Sequence, residues 1–205
     1  MKSPSRKNTA FTLIELLVVI SIIGILATLA IPAVQIALTN GQLTGTLNNA
    51  RQLHLATRAM SLDSMNVADD HMEWTSMTSN GTTTPASIST YFDALIKNNY
   101  LSESELKKLV TAPGKGPGNS SPNAQNSCFK FFQVDEASPS DQPLLVTANW
   151  NQKQLSSDAP YGKKGFVVFA KGGSGGIYHR AADVSSATLF PAGGEDETYH
   201  YNTLN

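Results

Sequence analysis

The sequence has few charged residues and a single cysteine. Of its 205 residues 15% are charged, and 15 basic against 16 acidic side chains give a formal net charge of −1. The basic residues are dispersed rather than clustered, which excludes the electrostatic footprint of a nucleic-acid-binding protein. Cys128 alone excludes an intrachain disulfide framework and a multi-cysteine zinc site. The four histidines of the chain lie far apart in the sequence.

The N-terminus, in contrast, holds a long apolar run. Residues 1–10 carry Lys2, Arg6 and Lys7 and no acid, and 21 mostly apolar residues follow at positions 11–31. A helix of that length spans about 31 Å, which matches the roughly 30 Å hydrocarbon core of a bilayer. Because the basic residues precede the run, the positive-inside rule places the first ten residues in the cytoplasm and the bulk of the chain outside it.

Three interpretations of this segment compete. A secretory signal peptide has the same basic start, and residues 28–30 (TLA) would serve as its cleavage site, but Glu15 then lies inside the apolar run. A plain membrane anchor gives Glu15 no purpose, although an acid costs about 2.5–3.5 kcal/mol at the centre of a membrane helix. The simplest account of Glu15 is its position near the helix N-terminus, where the macrodipole offsets part of that cost.

The third interpretation rests on a longer motif. Residues 7–20, KNTAFTLIELLVVI, resemble the class III signal of type IV pilins and of the pseudopilins of type II secretion. The resemblance implies that a prepilin peptidase cuts between Ala10 and Phe11 and that Phe11 becomes a methylated N-terminus. The family usually has Gly before the cut, where this chain has Ala10. Ala is the next smallest side chain, so we expect processing, at a lower rate.

Three further positions match the family. Glu15, four residues after Phe11, matches its acid, and the resemblance implies that Glu15 of an incoming subunit neutralises the Phe11 amine of its neighbour, since a buried charge is tolerable only when paired. Gly24 and Pro32 match recurrent helix-loosening positions. Each alone would also fit an ordinary membrane helix, but their joint spacing with Glu15 favours the family. Pro32 removes a backbone donor, so we expect the helix to curve or partly melt there inside a filament.

An amphipathic segment follows the apolar run. Between residues 35 and 60 apolar side chains recur at three- to four-residue and seven-residue spacings, namely Ile36, Leu43, Leu47, Ala50, Leu53 and Met60. Gly41 and Gly45 each weaken a helix by about 1 kcal/mol, which predicts a soft spot near residues 39–45. We therefore predict a leader at 1–10, a transmembrane and polymerisation helix at 11–38, and an extracytoplasmic head at 39–205, of which 39–62 continue the helix.

The first half of the head is predicted to be loop and short helix. Residues 61–90 are rich in Ser, Thr and Asn and are predicted as a loop with a turn at Asn80-Gly81. Helical spacing predicts a helix at 88–98, and Ser102 with Glu105 has the capping-box pattern of a second helix. Residues 113–122, rich in Pro and Gly, end these helices as a flexible connection.

The second half is predicted to be a sheet. Four short β-prone runs lie at 128–134, 144–150, 165–170 and 177–180, bounded by turn-forming residues. The glycine-rich stretch 171–176 between the last two is predicted as a hairpin turn rather than a phosphate-binding loop. An apolar sheet face must be covered, and the second half of the long helix is the obvious cover. The predicted fold is α+β and pilin-like, with a long N-terminal helix packed against a small antiparallel sheet.

The sequence evidence for a metal site or a reactive thiol is weaker than that for the N-terminal motif. The resemblance to major pseudopilins implies a C-terminal calcium loop, so the tail acids are candidate Ca²⁺ ligands, with solvated acidic turns as the alternative: Asp183, Glu195, Asp196 and Glu197. Residues 69–73 (DDHME) lack the spacing of a catalytic zinc motif and are predicted as a solvated loop. Cys128 begins an apolar strand and is predicted to be buried packing rather than a reactive thiol.

The sequence thus predicts a structural protein, not an enzyme. The preferred function is a subunit of a type II secretion pseudopilus, anchored by one span in the bacterial inner membrane with its head in the periplasm. Expected partners are a prepilin peptidase, other pilin or pseudopilin subunits, an inner-membrane assembly platform and the lipid bilayer. The single cysteine and the acidic tail favour a pseudopilin over the alternative, a type IV pilus subunit. A membrane-anchored binding domain or enzyme is the remaining alternative.

Overall fold

A computed structural model describes residues 12–64, 71–79, 82–151, 154–181 and 184. The chain divides into two compact units, Met1–Asn40 and Gly41–Asn205. The first helix, α1, begins at Leu13 and ends at Ser64, so its residues contribute to both units. It remains helical through Pro32 and through residues 39–45, where a soft spot is predicted.

In the first unit α1 presents apolar side chains all round. They are exposed throughout, from 46% for Val19 to 84% for Leu13. By length and composition α1 is able to cross a membrane. A helix that is apolar on every side requires lipid or other protein around it.

In the second unit one face of α1 forms part of the core. Leu43, Ala50, Leu53 and Met60 are buried and pack in one cluster with residues of the main sheet, among them Phe131. The predicted amphipathic face is confirmed for these residues. Ile36, predicted on the same face, belongs to the first unit and is 64% exposed, so that part of the prediction is wrong.

A small antiparallel sheet follows α1 where a loop is predicted. Its strands are β1 (His71–Glu73), β2 (Ser76–Ser79) and β3 (Thr82–Pro85), in the order β1-β2-β3. The loop prediction for 61–90 is therefore wrong over these strands, and the prediction of a solvated loop is wrong at 71–73. The cause is long-range, because the buried Thr75 accepts from the Val134 amide and donates to the Phe132 carbonyl. The turn predicted at Asn80-Gly81 lies outside the described residues.

The two predicted helices are confirmed. Helix α2 (Ile88–Lys97) has Ser87 as its N-cap, and helix α3 (Glu103–Leu109) has Ser102 as its N-cap. In α3 both halves of the predicted capping box are present, since Ser102 accepts from the Glu105 amide and Glu105 accepts from the Ser102 amide. Local side-chain to backbone bonds thus decide where these helices begin.

The main sheet is antiparallel and has four strands, each within or overlapping a predicted β-prone run. These are β4 (Phe129–Phe131), β5 (Pro143–Thr147), β8 (Phe166–Ala170) and β9 (Gly175–Tyr178), in the order β4-β5-β8-β9. Between β5 and β8 lies a hairpin of two-residue strands, β6 (Trp150–Asn151) and β7 (Gln154–Leu155), which the sequence did not predict. The fold is α+β, as predicted.

Both faces of the main sheet are covered. Phe131 of β4 and Phe169 of β8 pack in the core cluster that contains α1, whereas Phe166 and Val168 of β8 belong to a second cluster with Trp150. Strands β5 and β8 are buried at every position. The second half of α1 therefore covers one face of the sheet, as predicted.

The predicted hairpin turn between β8 and β9 is also confirmed. The Ala170 amide donates to the Ser174 carbonyl at 2.8 Å, and Gly173 adopts a φ of +88°. Gly175 is required by close packing, because a Cβ there would lie 2.8 Å from Leu47 Cδ1 and inside contact distance of the Phe169 ring. This glycine lets the sheet edge approach α1.

Candidate functional site

Glu15 and Thr12 form a capping box at the start of α1. Thr12 is the N-cap, and both its backbone amide and its hydroxyl donate to Oε2 of Glu15, at 2.9 and 2.6 Å. In return the Glu15 amide donates to Thr12 Oγ1 at 3.3 Å. The Thr-x-x-Glu spacing before an apolar run is a known signature of this arrangement. Sequence reasoning singled out Glu15 and missed the role of Thr12.

The capping box fixes a carboxylate in the first turn of an apolar helix. Glu15 is the only charged residue between positions 12 and 40, and the helix macrodipole favours an anion at this end. The carboxylate therefore lies at the level of the helix N-terminus. Ala10 and Phe11, the predicted cleavage site, lie outside the described residues.

The hydroxyl groups of Ser21 and Thr28 in α1 are satisfied within the helix. The Ser21 hydroxyl donates to the Leu17 carbonyl at 2.7 Å, and the Thr28 hydroxyl donates to the Ile25 carbonyl at 2.7 Å. Such bonds leave no hydroxyl hydrogen to be solvated by lipid. Glu15 thus differs from Ser21 and Thr28 in carrying a charge that the helix alone does not neutralise.

Gly24 and Pro32 both lie inside α1. A Cβ at Gly24 would meet nothing within 4 Å, so packing within this chain does not require glycine there. Pro32 is accommodated without a break in the helix. Their loosening role in a filament stays a prediction.

The predicted metal ligands cannot be placed. Asp183, Glu195, Asp196 and Glu197 lie outside the described residues, as do Asp69 and Asp70. Across the described part of the chain, no group of three or more His, Cys, Asp or Glu side chains could hold a metal ion.

Cys128 is fully buried, as predicted. Burial raises the pKa of its thiol, which disfavours the reactive thiolate. Cys128 therefore acts as core packing.

His54 is a buried polar residue that sequence reasoning did not single out. Its ring lies 5.7 Å from the Trp74 ring and 5.2 Å from the Phe169 ring, and Nε2 is 2.6 Å from the Lys171 carbonyl. Burial, with a smaller contribution from the Arg58 charge, lowers the pKa of His54. The Lys171 ammonium lies 5.4 Å from the Trp74 ring centroid. This cluster ties α1 to the turn between β8 and β9.

Comparison with known proteins finds a known motif in the N-terminal segment. Residues 5–31 match the family described as the prokaryotic N-terminal methylation motif. The type IV major fimbrial protein FimA of Dichelobacter nodosus is 38% identical over 65 residues, which cover 32% of this chain and 42% of the relative. A second FimA sequence from that organism is 37% identical over 65 residues, again with 32% and 42% coverage. The chain thus spans less than half the length of these relatives, and no solved structure gives a significant match.

The matched motif and the architecture agree. The motif contains the predicted cleavage site, Glu15 and Gly24, and α1 with its antiparallel sheets gives the expected α+β fold. Residues 5–31 therefore carry a prokaryotic N-terminal methylation motif, and the chain is similar over 65 residues to type IV fimbrial proteins.

Proposed function

We propose that this protein is a structural subunit of a helical filament. A prepilin peptidase cuts it between Ala10 and Phe11, and Phe11 is then methylated. The mature subunit polymerises through the part of α1 that lies in the first unit. The observation that carries the proposal is the single carboxylate of Glu15, held by Thr12 in the first turn of an exposed apolar helix. The role is mechanical rather than catalytic.

The exposed apolar surface of the first unit supports this function. Isolated apolar side chains on a surface need no explanation, but a continuous exposed apolar helix implies a partner. Lipid covers this surface while the subunit is anchored in the inner membrane, and helices of other subunits cover it in the filament. The head is then held outside the cytoplasm.

Charge pairing gives the assembly its direction. Cleavage turns the Phe11 nitrogen into a cation in an apolar setting, and a charge in such a setting is tolerable only when it is paired. Glu15 of an incoming subunit supplies the anion to the Phe11 amine of its neighbour. Loss of the carboxylate removes the pairing without removing the apolar surface that anchors the subunit.

Within this class we propose a type II secretion pseudopilus, built with an inner-membrane assembly platform. Support comes from the single cysteine, which excludes the C-terminal disulfide of many surface pilins, and from the acidic tail as a possible Ca²⁺ site. A type IV pilus subunit is the second candidate, and similarity to the FimA fimbrial proteins favours it. Deleting the gene separates them, because a pseudopilin deletion blocks secretion of proteins into the medium and a pilin deletion removes surface fibres.

The Glu15→Ala variant tests the proposed function. We expect it to insert into the membrane at the normal level and to be missing from sheared filaments, because the carboxylate that pairs with the Phe11 amine is lost while the apolar surface that anchors the subunit remains. Immunoblots of the membrane and filament fractions make the measurement. The matched control is Ser21→Ala, which removes a polar group of the same helix whose hydroxyl donates only to Leu17 and should assemble normally. Filaments of Glu15→Ala at the normal level would contradict the proposal.

A further inference from the structure

The exposed side of α1 in the second unit carries a stripe of alternating arginines and leucines. Leu55 and Leu62 are 57% and 55% exposed, and Arg51 and Arg58 are exposed beside them. At about 100° per residue these four positions fall within roughly 60° of the helix circumference. Within the described part of the chain neither arginine forms a salt bridge. We name these four residues the arginine–leucine stripe.

An acidic groove lies at the C-terminal end of α1. It has a volume of about 530 Å³ and lies between α1, β1, β2 and α2. Its lining includes the buried or half-buried Met60, Met72 and Met77 and the exposed, charged Asp63, Asp93 and Lys97. Methionine side chains are flexible and adapt to partner side chains of varied shape. Asp63 accepts from the Tyr100 hydroxyl at 2.7 Å, and Asp93 pairs only at 3.4 Å with the exposed Lys97.

The stripe and the groove are complementary in chemistry. The stripe presents two cations beside two leucines. The groove presents two anions and one cation, Lys97, beside three methionines, so its net charge is opposite to that of the stripe. We propose that the arginine–leucine stripe of one copy docks into the acidic groove of a second copy of this chain. The inference rests on the proposed function and deepens it, since it names the contact between neighbouring heads.

The positions of the two surfaces favour a continuing array over a closed dimer. The groove residues of α1, which include Met60 and Asp63, lie about 110° to 170° around the helix from the centre of the stripe. Each copy therefore offers different surfaces to its two neighbours, and such a heterologous contact generates a filament when the rotation does not close. The two surfaces differ in height along α1 by only about 8 Å, which copies anchored side by side can match with a small stagger.

Cysteine cross-linking between two populations tests the contact. One population carries Leu62→Cys in the stripe and the other carries Asn98→Cys at the exposed edge of the groove. Each chain then holds one introduced thiol, and the buried Cys128 gives the background in the parent protein. We expect a disulfide-linked dimer in filaments assembled from both populations. The matched control replaces Asn98→Cys by Asn119→Cys, an exposed position on the connection after α3, and should give no dimer.

Charge reversal tests the chemistry of the contact. Arg51→Glu with Arg58→Glu places like charges against the groove, and the cross-linked fraction should fall roughly tenfold or more. Adding Asp63→Arg with Asp93→Arg to the same chain restores opposite charges and should restore the cross-link. Cross-linking that survives the arginine reversal, or is not rescued by the second pair, overturns the proposed pairing.

Failure of this inference and failure of the proposed function give different results. Filaments that form normally and depend on Glu15, without the cross-link between positions 62 and 98, overturn the stripe–groove contact and leave the filament function intact. Filaments that do not depend on Glu15 overturn the proposed function, whatever the cross-link shows.

Discussion

Pairs of buried hydroxyl groups link different elements of the head. The Thr57 hydroxyl of α1 bonds to Tyr91 of α2, and Thr46 and Tyr161 are 2.6 Å apart through their hydroxyl oxygens. Burial raises the pKa of Tyr91, so the phenol stays neutral and remains available as a donor. A satisfied buried pair rigidifies a core, whereas removal of one partner leaves the other desolvated.

His54 makes the stability of the head depend on pH. Because burial lowers its folded pKa below the ordinary value of about 6.5, the unfolded chain binds the proton more readily. We therefore expect the free energy of unfolding to be highest above about pH 6.5 and to fall as the pH decreases. Urea unfolding of the full chain in detergent, followed by tryptophan fluorescence at pH 7.5 and pH 5, measures this change.

The control for His54 is a second histidine. His54→Gln should lose part of the pH dependence, whereas the exposed His179→Gln should keep it. An identical pH dependence in His54→Gln and the parent would contradict the assignment.

At the scale of elements, two glycines of contrasting environment test how α1 meets the sheet. Gly175→Ala introduces a Cβ that clashes with Leu47 and Phe169, and we expect it to destabilise the head by about 1–3 kcal/mol. Gly41→Ala adds a methyl group that meets nothing within 4 Å on α1, and we expect it to stabilise by up to about 1 kcal/mol. Denaturant midpoints measure both, and equal effects of the two substitutions would refute the close approach.

Elements with local signals were predictable from sequence, and those stabilised by distant partners were not. Ser102 and Glu105 predict the start of α3, because the bonds of their capping box join residues only three positions apart. The β1–β3 sheet lies within a stretch rich in Ser and Thr, and it depends on bonds from Thr75 to residues nearly 60 positions away. Strands β6 and β7 have two residues each, too few to show an alternating pattern.

The same distinction holds for the functional residues. Glu15 was predictable because its motif is continuous in sequence, and the capping role of Thr12 was readable from the same spacing. His54 could not be found, because its burial depends on a contact with the Lys171 carbonyl 117 positions away.

At the scale of the whole molecule, the two units have opposite surfaces. The first exposes apolar side chains along its helix, and the second buries aromatic side chains such as Phe131 and Phe166 in cores on both faces of the main sheet. A chain with this division is suited to hold its first unit in lipid or among other helices and its head in water. The filament account explains why both surfaces occur in one short chain.

The mature N-terminus tests the central claim most directly. Intact mass and N-terminal peptide analysis of the protein from its native membrane identify the first residue, and an Ala10→Gly variant serves as a control that should give the same terminus. We predict a chain that begins at methylated Phe11. A chain that begins near Ile31, as after removal of a secretory signal, or one that still begins at Met1, would contradict it.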